Sequence, residues 1–277
     1  MERKISESVP AQRVIDDGDM LLWRALPLAG RNHLGPFVFL DHYRHRSRRG
    51  IGDKPHPHAG IEVLSYLLEG GVEHRDSMGM TDRLGPGDAQ CIRAGRGMIH
   101  AEQPLGGRHG LQLWTSLPPA QKLAEPAYAS FRAESIPSCA YEGARLKVLS
   151  GRVDGVEGLL RLATPTVLAH VQLAPHATVS LSVDDTAELG LYVMNGLIDS
   201  GGALINSGML AVFTQGDRVR IAATGPQPVD VILLGGAQVE GALLFSGPFV
   251  MDTPERVEQA KRDFASGKMG TLDGVPF

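Results

Sequence analysis

Two short stretches carry the side chains best suited to chemistry: His56-Pro57-His58 and His100-Ala101-Glu102. Each sets two metal-competent groups at positions i and i+2. In an extended strand such residues point to the same face, so each pair can reach one interior ion. Three imidazoles and a carboxylate, from His56, His58, His100 and Glu102, make a complete mononuclear site. No thiolate is among them, so the set suits one divalent ion of Fe, Mn, Co, Ni, Cu or Zn. Four such ligands fill a tetrahedral structural zinc site, but on a six-coordinate metal they leave two positions open for substrate oxygens. Ligating imidazoles need acceptors for their other N–H, and Glu62, Glu69, His74 and Gln112 are the candidates for that supporting role.

The residues around these pairs favour the geometry. Pro55 and Pro57 bias Lys54 and His56 toward extended backbone, which orders the first pair before any metal arrives. Proline has no ladder N–H, so this strand belongs at an edge or rim, where pockets open. The second pair ends a glycine-rich approach in which Gly95 and Gly97 serve turns, since neither a helix nor a phosphate-binding Lys-Ser/Thr follows. Just upstream, Arg44 opens a dense basic run, RHRSRRG. Without interleaved aromatics it is poor evidence for nucleic-acid binding. Its place before the first pair suggests a loop in which Arg46 and Arg48 steer an anionic substrate or a phenolate.

The chain that must position these groups has 277 residues, enough for two modest domains. A net charge of −4 gives no push toward nucleic acid or an acidic membrane. Only Cys91 and Cys139 occur, which argues against a disulfide framework and for a reducing compartment. The first residues carry acids and no apolar core, unlike a secretory signal, and no apolar run reaches membrane-spanning length. A cytoplasmic protein that makes no direct contact with nucleic acid or membrane is the expectation.

Glycine and proline are spread along the chain, and short strands are expected between tight turns. GPFVFLDHY, EVLSYLLEG, GVEHRDS and LQLWTSLP read as strands, and LGPGDAQ as a turn that leads into another. The Pro/Ala-rich segment after LQLWTSLP marks a boundary, giving domains at 1–130 and 131–277. From Ala144 a similar rhythm restarts, with period-two alternation in VQLAPHATVSLSV and TQGDRVRIAA. That half holds only His170 and His176 and lacks any H-x-H or H-x-E pair. Thr253-Pro254-Glu255 starts a helix over about 254–266, with Val257, Ala260, Lys261 and Phe264 as its inward stripe and Gly267 as its end. Phe264 is read there as core.

PHPHAGIEVLSYLLEGGVEHRDSMG, LGPGDAQ and AGRGMIHAE together resemble the pirin family, bicupins of the cupin superfamily. FVFLDHY and GPFVMDTPERVEQAKRDFASGKMG resemble it near the two ends. The resemblance implies an all-β fold of two tandem cupin (jelly-roll) β-barrels, with a short C-terminal helix that packs back on them. It also implies a monomer with one metal ion, iron before the others, in the N-terminal barrel on His56, His58, His100 and Glu102. Glu62 stands where many other cupins place a metal-binding glutamate. Cys91 stands where the pattern has an aromatic, Asp252 where it has asparagine, and VEGALLFSG lacks the acidic stretch before GPF. These departures touch pocket shape and not the ligands.

The family implies two functions of different class. One is a metal-dependent quercetin (flavonol) dioxygenase, taking a small aromatic or phenolic substrate and dioxygen, with Glu102 as ligand and transient catalytic base. The other is a non-catalytic, iron-dependent regulator that binds a protein partner as transcription cofactor or redox sensor. A structural zinc or a relic site is the third reading. Oxygen uptake separates the first from the other two.

Overall fold

A computed structural model of the protein describes residues 1–48, 50–184 and 186–272. The strands of the first half are β1 (Ile5–Pro10), β2 (Gln12–Asp16), β3 (Met20–Leu26), β4 (Phe37–His45), β5 (His56–His58), β6 (Ile61–Asp76), β7 (Thr81–Leu84), β8 (Ala89–Arg93), β9 (Met98–Ser116) and β10 (Ala127–Phe131). Those that follow are β11 (Ser138–Tyr141), β12 (Ala144–Ser150), β13 (Arg152–Val153), β14 (Val156–Glu157), β15 (Thr166–Leu173), β16 (Thr178–Ser182) and β17 (Glu188–Asn195). The last are β18 (Leu197–Ser200), β19 (Ala203–Asn206), β20 (Met209–Phe213), β21 (Arg218–Ala223), β22 (Val229–Gly236), β23 (Leu244–Ser246) and β24 (Phe249–Met251). One helix, α1 (Pro254–Ala265), follows them. The expected all-β class with a short C-terminal helix is what the chain adopts.

The chain forms two compact units that are not consecutive in sequence. One contains Met1–Gln12, Trp23–Phe37 and Glu134–Gln238; the other contains Arg13–Leu22, Val38–Ala133 and Val239–Phe277. The units divide the middle of the chain between Ala133 and Glu134, and each chain end belongs to the unit built mainly from the other half. Residues 5–10 join the later unit because β1 pairs antiparallel with β20. The helix joins the histidine-bearing unit because Val257 and Ala260 pack on Phe249, Met251 and Ala59.

In the first of these units two sheets face each other, in the orders β1-β20-β17-β22-β15-β12-β11 and β16-β21-β18-β19. Alternation builds them: in β16, Val179 and Leu181 are buried while Thr178, Ser180 and Ser182 are exposed. Leu146, Val171, Leu191 and Val231 from the large sheet share one core with Leu181, Ile198 and Ile221 from the small one.

The histidine-bearing unit is built on the order β10-β8-β6-β9-β4. Its axis is the long β6/β9 ladder, which runs from Ile61 opposite Ser116 to Asp76 opposite His100. EVLSYLLEG and GVEHRDS, expected as two strands, are thus one. The register shifts between Leu67/Glu69 and Gly70/Val72, and these bulges bend the pair without ending it. Gly70 makes the bend feasible: its φ is +78°, and a Cβ there would sit 2.0 Å from the Gly107 carbonyl oxygen.

The Thr253 hydroxyl accepts from the Arg256 N–H at 3.2 Å and caps α1. The inward stripe is shorter than expected, because Phe264 is 44% exposed and meets Phe249 only edge to face. Both cysteines are free. Among the described residues no helix is long and apolar enough to cross a membrane.

Candidate metal centre

β5 branches from β9 as an edge strand, with His56 opposite His100, Pro57 opposite Ile99 and His58 opposite Met98. The cross-strand register thus sets His56 beside His100, and the period of two returns His58 to the same face. The ring centroids of His56 and His100 lie 4.4 Å apart, those of His56 and His58 4.9 Å, and those of His58 and His100 5.1 Å. One ligand nitrogen from each ring can be chosen so that all lie within 4.8 Å of one another.

The backbone sets the tautomers of the first pair. His56 Nδ1 lies 2.9 Å from the Lys54 carbonyl oxygen, and His58 Nδ1 lies 3.4 Å from that of Pro248. A carbonyl only accepts, so each Nδ1 carries the proton and each Nε2 lone pair is left for another partner. His58 Nε2 is buried with no hydrogen-bond partner, and both ring nitrogens of His100 are in the same state. Burial, followed by the neighbouring imidazoles, pushes the pKa values of His58 and His100 well below the ordinary range. Neutral imidazoles with unused, converging lone pairs are the donor set a divalent cation needs, so these residues fit a metal ion.

Glu102 stands next to this triad and is differently engaged. Its Oε1 accepts from Gln90 Nε2 at 2.6 Å and from Ser65 Oγ at 3.1 Å, and its Oε2 accepts from Arg108 Nη1 at 3.0 Å. A carboxylate has about four lone-pair positions, so one on Oε2 remains. Glu102 groups with His74 and His100, while His56 and His58 group with His100 alone. His100 is the shared member, and the expected quartet is two overlapping clusters.

The four supporting candidates separate. His74 is fully buried beside His100, at 5.6 Å between centroids, with its Nε2 3.2 Å from Asp76 Oδ2 and its ring stacked on Tyr128. Gln112 reaches the centre through Ser65, whose hydroxyl lies 3.4 Å from Gln112 Oε1. Glu62 is three residues from Ser65 on β6 and so faces the other way, accepting from Thr115 Oγ1 at 3.1 Å with Arg93 Nε 3.5 Å away. Glu69 lies beyond the β6 bulge and serves Arg44 and His109. The partners of His56 Nδ1 and His58 Nδ1 are the backbone carbonyls of Lys54 and Pro248, not any of these four side chains.

Arg46 and Arg48 are exposed. The Arg48 carbonyl accepts from Gln103 Nε2 at 2.9 Å, and Arg46 lines a separate cavity. Arg49 lies outside the described residues. Beyond it, Gly52 comes so close to His56 that a Cβ there would be 3.1 Å from His56 Cε1.

Sequence reasoning did not single out Arg108, Gln90 or Ser65. Arg108 is buried; it donates to Glu102 and also to the Ile51 carbonyl at 2.8 Å, and it lies 4.7 Å over the Tyr43 ring. Ser65 faces both Gln90 and Gln112 in the β8/β6/β9 register, a polar row whose signal was its place inside an apolar run. Phe39 stacks on Trp114 at 4.1 Å, and Trp114 meets the edge of His58 at 5.0 Å.

The fold and this histidine cluster define a bicupin, an all-β protein of two cupin domains. The family models agree: the model described as Pirin matches residues 22–115, and the Pirin C-terminal cupin domain matches residues 168–270. The chain belongs to the pirin family. It is 32% identical to human pirin over 97% of this chain and 94% of that protein. It is also 32% identical, over 98% of this chain and 99% of the relative, to a Vibrio cholerae protein that carries the provisional name quercetin 2,3-dioxygenase. Among solved structures, quercetin 2,3-dioxygenase from Acinetobacter baumannii superposes with a TM-score of 0.87 over 98% of this chain and 99% of that one, at 23% identity.

Proposed function

We propose that His56, His58 and His100 hold one divalent metal ion, iron before the alternatives, with Glu102 Oε2 as the fourth ligand. We further read the centre as a flavonol dioxygenase of the quercetin type. The observation that carries the reading is the set of converging imidazoles whose Nδ1 protons are fixed on Lys54 and Pro248. The Vibrio relative supports the choice of reaction. A bound divalent ion would supply Lewis acidity toward a substrate hydroxyl and, as iron, redox capacity.

The chain's own residues have separate tasks. Glu102 has one acceptor position left, on Oε2, so it receives the hydroxyl proton as transient base only when that position is not given to the ion. Gln90, Ser65 and Arg108 fix its orientation. The half-buried Phe39–Trp114 stack beside His58 offers a flat apolar face to a planar phenolic ring. Arg46 and Arg48 favour the approach of a phenolate.

The test is oxygen uptake on quercetin by protein loaded anaerobically with Fe(II). Turnover with carbon monoxide release, lost in Glu102→Ala and His58→Ala, is the expected result. Reversing the charges of Arg46 and Arg48 then raises KM at low salt and not at high salt. No uptake with any of the candidate metals would refute the dioxygenase reading and favour iron-dependent binding of a protein partner.

A further inference from the structure

Arg108 also lines a cavity of about 310 Å³ whose wall does not include His56, His58 or His100. Arg44, His45, Arg46, Glu69 and His109 line it as well. Its wall therefore carries three guanidinium groups against the single carboxylate of Glu69. That carboxylate is already shared: Arg44 Nη2 donates to Glu69 Oε1 at 2.9 Å, and His109 Nδ1 lies 3.2 Å from the same oxygen. Arg108 is matched by Glu102. The nearby Asp19, outside the lining, accepts from Ser47 Oγ at 2.6 Å. Arg46 has no ion-pair partner among the described residues.

His45 supplies a second unsatisfied group. Its Nδ1 accepts from Arg108 Nε at 3.4 Å, so its Nε2 carries the proton, and that N–H is buried without a partner. The unpaired guanidinium of Arg46, and the His45 donor that lies buried in the same wall without an acceptor, both favour an oxyanion as the occupant. The volume is at the lower end of small-molecule sites, which leaves room for an organic body behind the charged group.

We propose that this cavity binds the carboxylate of a small organic acid, held by Arg46 and His45 in a site separate from the metal centre. Arg108 and Arg44 line the site as already paired cations, and the ligand completes its charge balance.

The experiment is calorimetric titration of the metal-free full chain with benzoate and, in a parallel arm, with inorganic phosphate. Because no metal takes part, failure here leaves the dioxygenase reading untouched. Saturable one-to-one binding of benzoate is expected, weakened about tenfold or more in Arg46→Ala, as for the loss of a charge-assisted hydrogen bond. Arg46→Lys keeps the charge and loses the planar fork, and gives an intermediate affinity. Arg46 is exposed, so both variants are expected to fold. Absence of benzoate binding at about 10 mM, a range in which even weak sites fill, would overturn the proposal. So would equal affinity in Arg46→Ala, or tighter binding of phosphate than of benzoate.

Discussion

Replacing Arg108 by methionine in the metal-free protein tests the internal logic of the centre. Arg108 and Glu102 are 2% and 1% exposed, and they meet at 3.0 Å. With the guanidinium removed, Glu102 keeps only the neutral donors Gln90 and Ser65, and a buried carboxylate is left without a counter-charge. Breaking one side of a buried pair costs about 3–5 kcal/mol, mostly through the stranded partner. The contact with the Tyr43 ring adds about 0.5–2 kcal/mol to the loss, and burial of the methionine returns part of it. For a chain of this size the drop in melting temperature is about 6–20 °C. Glu102→Gln strands the arginine in the same way. The double variant strands neither, so its loss is smaller than the sum of the single losses by about 2–3 kcal/mol. Urea and thermal unfolding of the four proteins measure that cycle. Single variants whose losses simply add, within about 0.5 kcal/mol, would refute the claim that Glu102 and Arg108 balance each other.

Three further outcomes are expected. Lys122 is fully buried, with Nζ donating to the Gly60 and Val250 carbonyls and to Ser116 Oγ at 2.8–2.9 Å, so Lys122→Met lowers stability by about 1–3 kcal/mol in thermal melts. An unchanged melting temperature would contradict that tie. Burial holds His45 down to about 3 and holds His58 and His100 well below the ordinary range. Below about pH 6.5 the unfolded chain binds more protons at these positions than the folded one, so metal-free stability falls with falling pH, by up to about 4 kcal/mol per unit for three groups. Equal urea midpoints at about pH 7.5 and 5.5 would refute it. Gly52→Ala forces a Cβ against His56 from a backbone at φ +77°, and metal affinity by chelator competition falls about tenfold, as for a displaced supporting contact; unchanged affinity would show that His56 is not a ligand.

His56, His58 and His100 were legible because the i,i+2 rule survives in any strand, and because two prolines set the first pair's backbone. Glu102 shared that spacing, but its three donors come from β6, β8 and the far part of β9, distances that spacing alone does not encode. Glu62 illustrates the limit of sequence nearness: three residues from Ser65, it faces away from the centre. Arg108 looked like surface charge between glycines and a histidine; only the β6/β9 bulge buries it over Tyr43. The strands on either side of Gly70 read as two because glycine ordinarily ends a run, whereas here it permits a bend in one. The exchange of chain ends between the units depends on pairing partners some two hundred residues apart, such as Val9 with Leu210. Phe264 kept helical spacing, but near the end of α1 it meets Phe249 only edge to face and stays partly in solvent.

The most direct test of the metal centre is equilibrium dialysis of metal-free protein against Fe(II) without oxygen, followed by metal analysis of the native chain and of His56→Ala, His58→Ala and His100→Ala. One tightly held ion per chain, lost or greatly weakened in each variant, is the predicted result. Full occupancy in all three variants would place the ion elsewhere and contradict the account.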